Sequence, residues 1–221
     1  YAGDTVESPQ ALRREAWGVS LDIDRDIGDL ATLTSITGYR QGHAYNLYDQ
    51  TGMGPNSGYG IVSPLLFRFP INEREEISQF TQEFRLVSDL GDSNFDWIVG
   101  AYYQHDEVEK YDRSWAEVPF PALATLSGES HWDNFAETTS AAVFGQLGYQ
   151  FTENFRVVAG IRYTRDEKSG TVFARAVEGG DAFNPTDQVA LTPLAGTYVE
   201  GDTFSANYGM EWEEVTPRVT A

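Results

Sequence analysis

Alternating apolar and polar residues are the main signal along this chain. The clearest segment places these apolar residues at every second position: Phe155, Val157, Ala159, Ile161 and Tyr163. A period of two indicates a β-strand with two different faces, whereas an amphipathic helix repeats every three to four residues. Similar stretches occupy residues 17–24, 30–39, 80–88, 95–104 and 141–151 and the stretch from Trp212 onward. No segment has helical spacing, so the sequence predicts an all-β fold of about seven strands.

The connections between these strands are of two kinds. Short turns rich in Gly, Asp and Asn follow the strands that end near Asp24, Ser88 and Phe151, and such residues tolerate the backbone conformations of tight hairpins. Three other links are predicted to be long, at residues 41–74, 110–137 and 169–210. Compact soluble domains seldom contain three connections of that size. Short turns at one end and long loops at the other are typical of an antiparallel transmembrane β-barrel, with the turns periplasmic and the loops extracellular.

Aromatic residues are sorted by height along the predicted strands. One group lies beside the short turns: Phe95, Trp97, Tyr149, Phe151 and Phe155. A second group lies at the opposite strand ends: Tyr39, Tyr103 and Tyr163. Two aromatic bands around an apolar segment are expected where amphipathic rings occupy the two lipid–water interfaces. We therefore expect both groups to face lipid.

Charged residues on the opposite row carry complementary information. Arg85, Arg156 and Arg162 lie mid-strand, out of step with the apolar row. An arginine facing lipid at the membrane midplane costs about 2–4 kcal/mol. The pattern therefore predicts that these arginines face the barrel lumen, with Glu83 on the same row as a candidate ion-pair partner. They would form a polar structural wall or, alternatively, a path for an anionic ligand.

Composition excludes several classes of function. The 221 residues include 15 Lys and Arg against 34 Asp and Glu, which gives a net charge of −19. A nucleic-acid binder needs a basic face, so this balance argues against one. The absence of cysteine excludes disulfides, zinc–thiolate sites and thiol catalysis. The chain also has no apolar run for a transmembrane helix and no signal-peptide pattern, and we interpret it as an excerpt of a longer sequence.

Candidate metal and catalytic sites are weak. An alternating acidic stretch resembles the start of a calcium loop: Asp22, Asp24 and Asp26. The EF-hand pattern, however, requires Gly and Glu where this chain has Ile27 and Leu33. The histidines have no partner at ligand spacing: His43, His105 and His131. We expect no metal, no cofactor and no catalytic residue.

Clustered carboxylates and loop aromatics are the remaining polar candidates. The clusters at residues 73–76 and 211–214 could suggest a glycosidase pair, but they fit a solvated rim better. Ligand contacts are predicted for aromatic residues of the long loops: Tyr45, Tyr48, Trp115 and Trp132. Such rings commonly line ligand pockets, and they could equally pack the loops together.

Several segments resemble, in order, strands of TonB-dependent receptors of the bacterial outer membrane. They are 33–40 (LTSITGYR), 80–88 (FTQEFRLVS), 95–103 (FDWIVGAYY), 143–155 (VFGQLGYQFTENF), 159–168 (AGIRYTRDEK) and 212–219 (WEEVTPRV). Each segment alone is a weak signal, whereas the ordered set is specific. The resemblance covers the chain from about Trp17 to its end.

This resemblance implies a barrel of roughly 22 strands around an N-terminal plug. Residues 1–221 would then be an incomplete barrel domain that lacks the plug and the remaining strands. The resemblance also implies the outer membrane of a Gram-negative bacterium, energy from the TonB complex through the missing N-terminal region, and import of a scarce nutrient, most often a ferric siderophore. Expected partners are outer-membrane lipid, the plug, TonB and the nutrient, with no nucleic acid and no enzymatic activity.

Two alternatives remain open at this point. A passive outer-membrane porin would share the alternation and the turn pattern but would have no plug. A secreted β-sandwich or β-propeller, acting as a glycan-binding module or hydrolase, would instead bury its aromatic residues in a compact core.

Overall fold

The computed structural model describes residues 11–49, 70–89, 93–116, 128–178 and 203–220. These residues form seven β-strands: β1 (Ala11–Ile27), β2 (Ala31–Asp49), β3 (Pro70–Ser88), β4 (Phe95–Ala116), β5 (Gly128–Thr152), β6 (Phe155–Glu178) and β7 (Thr203–Thr220). Each strand pairs antiparallel with its neighbours in sequence, in one sheet of order β1 to β7. Within the described segments, no helix is long and apolar enough to cross a membrane. The predicted all-β fold and its seven strands are confirmed.

The short turns have the chemistry that the sequence indicated. Between β1 and β2, Gly28 adopts a φ of 59°, a left-handed conformation that glycine accepts without strain. The Leu30 amide then donates to the Ile27 carbonyl at 3.3 Å, which closes the turn. Between β5 and β6 only residues 153 and 154 connect the strands. These turns therefore lie together at one end of the sheet.

The strands are longer than the alternation indicated. β5 has 25 residues and β6 has 24, whereas about 9–11 tilted residues span a membrane. The prediction that residues 41–74, 110–137 and 169–210 are loops is therefore wrong at both ends of each range. The strands continue to Asp49, Ala116 and Glu178, and the next strands begin at Pro70, Gly128 and Thr203, so β7 starts well before Trp212. Beyond the apolar segments, charged and polar residues occur on both faces among scattered apolar ones, so regular alternation disappears while the backbone ladder continues.

The sheet is a single layer with almost no core. The buried apolar residues among the described ones are few and mostly small: Ala31, Leu47, Ala142 and Ala174. Large apolar side chains remain exposed instead, with Leu21 and Ile161 each 58% exposed. A β-sandwich would cover such residues with a second sheet, and the described strands form only one. The sandwich alternative does not fit this architecture.

Candidate functional site: the two faces of the sheet

The strand register assigns each side chain to one of two faces, because directly opposed residues share a face. One row crosses the sheet through Leu86, Val99, Gly145 and Ile161. We call this side the aromatic face. The adjacent row crosses through Arg85, Gly100, Phe144 and Arg162. We call this side the arginine face.

The aromatic face carries two groups of rings. Near the short turns, the Phe151 ring lies 4.7 Å from Tyr149 and 5.6 Å from Phe155. Further along the strands, Trp17 lies 5.5 Å from Tyr39, and Phe80 lies 6.4 Å from Tyr103. On β6 the two groups are separated by the stretch from Phe155 to Tyr163, which is about 26 Å along the strand. A tilted transmembrane strand has about 9–11 residues, and the nine residues from Phe155 to Tyr163 are at the short end of that range.

Three polar side chains interrupt this apolar band on β2 and β3. The Thr37 hydroxyl donates to the Gln82 side-chain oxygen at 2.6 Å. The Gln82 amide nitrogen donates to the Ser35 hydroxyl at 3.1 Å and to the Ile36 carbonyl at 3.2 Å. Each of the three side chains thus has a hydrogen-bond partner within the sheet. A polar atom without a partner and without water would cost considerable free energy.

Ion pairs occupy the arginine face near the short turns. Arg156 donates to both carboxylate oxygens of Asp96 at 2.8 Å, and the pair lies over Gly148, where an added Cβ would collide with it. The Arg85 Nε lies 3.3 Å from a Glu83 oxygen, within ion-pair distance but without hydrogen-bond geometry. The four side chains are 27–47% exposed on this face. The charges of these two pairs are therefore partly exposed on the arginine face.

Arg162 is held by aromatic rings instead of a carboxylate. Its guanidinium lies 5.7 Å from the ring centroids of both Tyr102 and Phe144, within the range of cation–π attraction. Its Nε donates to the Thr164 hydroxyl at 3.1 Å. The Phe144 ring covers Gly100, where an added Cβ would lie 2.8 Å from its Cε1 atom. Gly100 thus provides the space that lets Phe144 lie flat and support Arg162.

A denser polar cluster lies on the same face far from the short turns. Lys110 contacts Glu73 at 3.1 Å and Asp112 at 3.2 Å. Glu73 also accepts hydrogen bonds from Asn46 at 3.1 Å and from Tyr48 at 3.5 Å. These residues come from β2, β3 and β4, so the cluster ties three strands together.

The pKa values in this cluster are shifted by burial and by the contacts of Lys110 with its carboxylate neighbours. Burial raises the pKa of Asp112 above its usual range, although Lys110 opposes the rise. Burial by itself would lower the pKa of Lys110, but hydrogen bonds to Glu73 and Asp112 outweigh it, so that this pKa is raised. Burial also raises the pKa of Tyr48, with Glu73 adding to the effect. The positive charge of Lys110 therefore offsets the repulsion between the carboxylates of Glu73 and Asp112.

Comparison with known proteins places this geometry in a family. The sequence matches the family described as TonB dependent receptor-like, beta-barrel, over residues 1–221. The chain belongs to this family of receptor barrels. No curated protein matches the sequence significantly.

Solved structures share the fold of this receptor-family sheet. One of them is the ferric yersiniabactin uptake receptor FyuA from Yersinia pestis, with a TM-score of 0.63 and 16% sequence identity. The match covers 95% of this chain and 26% of FyuA. The chain therefore spans about a quarter of the length of that receptor, and at this identity the likeness shows the fold.

The aromatic residues predicted as loop contacts lie in strands of this receptor barrel, which corrects their placement. The strands continue past the apolar band and carry these residues with them: Tyr45, Tyr48, Trp115 and Trp132. Tyr48 and Trp132 lie on the arginine face, where the Trp132 ring nitrogen donates to Ser130 at 3.3 Å. Tyr45 lies on the aromatic face, opposite Arg74, so these aromatic residues do not form one site. The Trp115 side chain lies outside the part of the chain that the structure describes.

The candidate metal ligands are occupied by other contacts. On β1, Asp24 accepts from Thr34 at 2.6 Å and Asp26 accepts from Thr32 at 3.0 Å. The histidines lie near glutamates on the aromatic face, as in the 2.6 Å contact of His131 with Glu129. Among the described residues no group of three or more potential ligands could hold a metal ion.

A cavity that the sequence did not predict lies on the arginine face between β1, β2 and β3. Its volume is about 390 Å³, and its lining includes Arg14, Ala16, Arg40, Gly42, Ala44 and Glu75. In sequence Arg14 and Arg40 are far apart, and no single motif contains both, although Arg40 ends the segment 33–40 described above. Only the pairing of β1 with β2, which sets Arg14 opposite Ala44 and Arg40 opposite Gly18, brings them to one site.

Proposed function

We propose that this chain is part of an outer-membrane TonB-dependent receptor that imports a ferric siderophore. The observation that carries the proposal is the division of one sheet into an apolar face with two aromatic bands and an opposite face with charged side chains. Family membership over the whole chain supports the same role. The chain acts by binding and transport, and we assign it no catalytic residue.

The aromatic face contacts lipid in this proposal, and the arginine face lines the lumen. Rings near the short turns occupy the periplasmic interface: Phe95, Trp97, Tyr149, Phe151 and Phe155. Rings further along the strands occupy the outer interface: Tyr39, Tyr103 and Tyr163. The lumen wall then includes Glu83, Arg85, Arg156 and Arg162. The reverse orientation would expose these arginines to acyl chains, at a cost that is about 2–4 kcal/mol at the midplane and falls to about 0–1 kcal/mol near the interfaces.

The sheet needs further strands and a plug to work as a transporter. β1 and β7 each pair on one side only in the described part of the chain, and a sheet edge left open in lipid has unpaired backbone groups. We propose that residues 1–221 form about seven strands of a larger closed barrel of roughly 22 strands. A plug encoded with it fills the lumen and couples to TonB, which supplies the energy.

A ferric siderophore is the proposed nutrient for two reasons. FyuA, which shares the fold, is a ferric yersiniabactin uptake receptor. The lumen wall also presents cations and aromatic rings side by side, as Arg162 does with Tyr102 and Phe144. Such surfaces suit ligands that combine oxyanions with aromatic rings.

Uptake of radiolabelled iron tests this function. The complete gene that contains this chain is expressed in a Gram-negative strain without its own siderophore receptors, with and without a functional TonB. We expect uptake of at least one ferric chelate from a panel of catecholate, hydroxamate and citrate complexes, and only when TonB is present. Uptake that continues without TonB would indicate a passive channel, and the absence of any uptake would contradict the siderophore assignment.

A further inference from the structure

A groove on the aromatic face lies beyond the rings that we propose occupy the outer interface. Its volume is about 1050 Å³, and β1 to β4 supply its polar and aromatic lining: Arg13, Tyr45, Asn72, Arg74, Tyr111 and Arg113. The strand register brings these residues together. Tyr45 lies opposite Arg13 on one side and opposite Arg74 on the other, and Arg74 in turn lies opposite Tyr111. The groove is therefore a surface shared by four strands.

Height along the strands separates this groove from the hydrocarbon. Tyr45 lies six residues beyond Tyr39, which is about 20 Å along the strand and about 15 Å above the outer interface for a strand tilted by about 40°. The headgroup layer of an ordinary bilayer is only about 5–8 Å thick on each side. A phospholipid beside the barrel would not reach the groove, whereas a lipid with an oligosaccharide headgroup would.

The lining of the groove reverses the charge balance of the chain. It contains three arginines and one carboxylate, Glu15, whereas the whole chain has 34 acidic residues against 15 basic ones. All three arginines are exposed. Arg13 and Arg74 lie about 10 Å apart, one on each side of Tyr45. Guanidinium groups are strong, geometrically specific donors to phosphate and carboxylate oxygens, so the groove is complementary to a headgroup with oxyanions.

Two neighbouring glutamates leave most of these donors available. Glu76 forms an ion pair with one terminal nitrogen of Arg74, but a guanidinium has five N–H donors. Glu109 accepts from the Tyr111 hydroxyl at 2.8 Å and is engaged by that contact. Arg13 forms no ion pair or hydrogen bond with any residue that the structure describes. An oxyanion in the groove therefore meets cationic donors from both β1 and β3.

The remaining side chains of the groove suit a sugar. The Tyr111 ring packs edge-on against Phe135 at 5.9 Å, which gives the groove a firm aromatic wall. Asn72 offers a donor and an acceptor, and Glu15 accepts from hydroxyl groups. Aromatic rings beside a few polar groups are typical of ligand sites.

We infer that this groove binds the oligosaccharide headgroup of an outer-leaflet glycolipid through phosphate or other oxyanion groups on its sugars. Arg13 and Arg74 bind the oxyanions, while Asn72 and the tyrosines contact the sugar. The inference rests on the proposed orientation of the aromatic face toward lipid and is independent of the nutrient. Anchoring of the acyl chains in the membrane keeps the headgroup at a high effective concentration beside the groove.

Binding of lipopolysaccharide to the complete receptor, purified and delipidated in detergent, tests the groove. The probes are a lipopolysaccharide with phosphorylated core sugars, its counterpart with an unphosphorylated core, lipid A alone and the soluble phosphorylated core oligosaccharide. We expect the phosphorylated lipid to bind about fivefold or more tightly than each of the other three. Arg13→Gln and Arg74→Gln should each weaken its binding about fivefold, through the loss of a charge-assisted hydrogen bond.

Two other arginines of β1 provide matched controls. Arg14→Gln removes a charge from the residue adjacent to Arg13 on the opposite face. Arg25→Gln removes a charge from the aromatic face at the other end of the strand, opposite Leu33. Both variants should bind the phosphorylated lipid as the wild type does. Thermal unfolding of all four variants shows whether any loss of binding reflects misfolding.

Several outcomes would overturn the inference. Equal affinity of the wild type for the phosphorylated lipid and for lipid A would mean that recognition occurs at the membrane surface below the groove. Equal affinity for the soluble oligosaccharide would identify a free saccharide as the ligand. Unchanged binding in Arg13→Gln and Arg74→Gln, or no binding of any probe, would also contradict it. Iron uptake is measured separately, so each of these results would leave the import function intact.

Discussion

The two halves of this sheet have the same backbone pairing but different side-chain chemistry. In the half near the short turns, β6 has apolar residues at every position of the aromatic face, such as Ile161, and charges only on the arginine face, such as Arg162. In the far half of the same strand, Glu167 and Lys168 put charge on both faces. The strand hydrogen bonds continue without interruption from one half into the other. Backbone pairing alone therefore does not decide where a strand carries apolar residues.

The difference is the one expected if the environment selects the pattern. On the face that we propose contacts lipid, a charge is costly, and the polar side chains within the apolar band are hydrogen-bonded to one another, as Gln82 is with Ser35 and Thr37. Where both faces contact water, exposed ion pairs cost little and stabilise little. One example is Arg165, which forms exposed ion pairs with Glu167 and Glu211 just beyond Tyr163, where the two halves meet. Three substitutions, each with a matched control, test this division.

The largest effect is expected from a charge on the aromatic face of the first half. Ile161→Arg places a guanidinium inside the apolar band, two residues from Tyr163, at a position where Ile161 is 58% exposed. We expect the free energy of unfolding of the complete receptor to fall by about 2–3 kcal/mol in lipid vesicles, because the cost is highest at the midplane and declines toward the interfaces. Urea titration, followed by tryptophan fluorescence, measures the change.

Ser169→Arg is the matched control for this charge. Ser169 lies on the same face of the same strand but beyond Tyr163, opposite Glu137. We expect no loss of stability there, because water and a carboxylate are within reach. Equal losses in Ile161→Arg and Ser169→Arg would show that both positions have the same surroundings, and the division into two halves would fail.

An intermediate effect is expected where an aromatic ring fills the space above a glycine. Gly100→Ala would place a methyl group in overlap with the Phe144 ring, 2.8 Å from Cε1. The ring must rotate, and the support of Arg162 by Phe144 is lost with it. We expect a loss of about 1–2 kcal/mol in the unfolding free energy, in the lower range for overpacking.

Gly145→Ala is the matched control. Gly145 lies in the same pair of strands, β4 and β5, but on the aromatic face, opposite Val99. Its added Cβ would have its nearest contact at 3.7 Å, which is ordinary packing. Alanine should be neutral or slightly stabilising there, because glycine weakens a strand interior. A loss in Gly145→Ala as large as that in Gly100→Ala would mean that the glycines matter through the backbone and not through Phe144.

The sequence predicted the first half of the sheet better than the second for a physical reason. The alternation from Phe155 to Tyr163 is readable because the aromatic face carries only apolar residues there, whereas the arginine face carries Arg156 and Arg162. The register of β2 was ambiguous in the sequence, since Ser35 and Thr37 are polar residues on the aromatic face whose hydrogen bonds with Gln82 appear only after pairing.

The cavity of Arg14 and Arg40 could not be predicted in the same way. It depends on which residue of β1 lies opposite which residue of β2, and a shift of one residue would move Arg40 to the other face. The extension of the strands beyond the apolar band was missed for a related cause. Polar residues on both faces leave no period, so Tyr45 and Trp132 were predicted in loops.

The smallest effect is expected in the polar cluster of the second half. Lys110→Met removes the cation between Glu73 and Asp112. Lys110 is 35% exposed, so after allowance for solvent screening we expect a loss of about 1 kcal/mol or less at neutral pH. The pKa of Asp112, already raised by burial, should rise further without Lys110. The folded state would then keep this proton to higher pH than the unfolded state does.

The sign of the pH dependence follows from that difference. Because the folded variant binds more protons, its stability falls as pH rises from the ordinary carboxyl range toward the raised pKa of Asp112. The deficit of Lys110→Met should therefore be smallest near about pH 4 and largest near about pH 8, as measured by urea unfolding at a series of pH values. Lys168→Met, on the same face but in no ion pair within the described segments, should show no such dependence. A deficit that is constant with pH would mean that Lys110 contributes through its aliphatic stem and not through its charge.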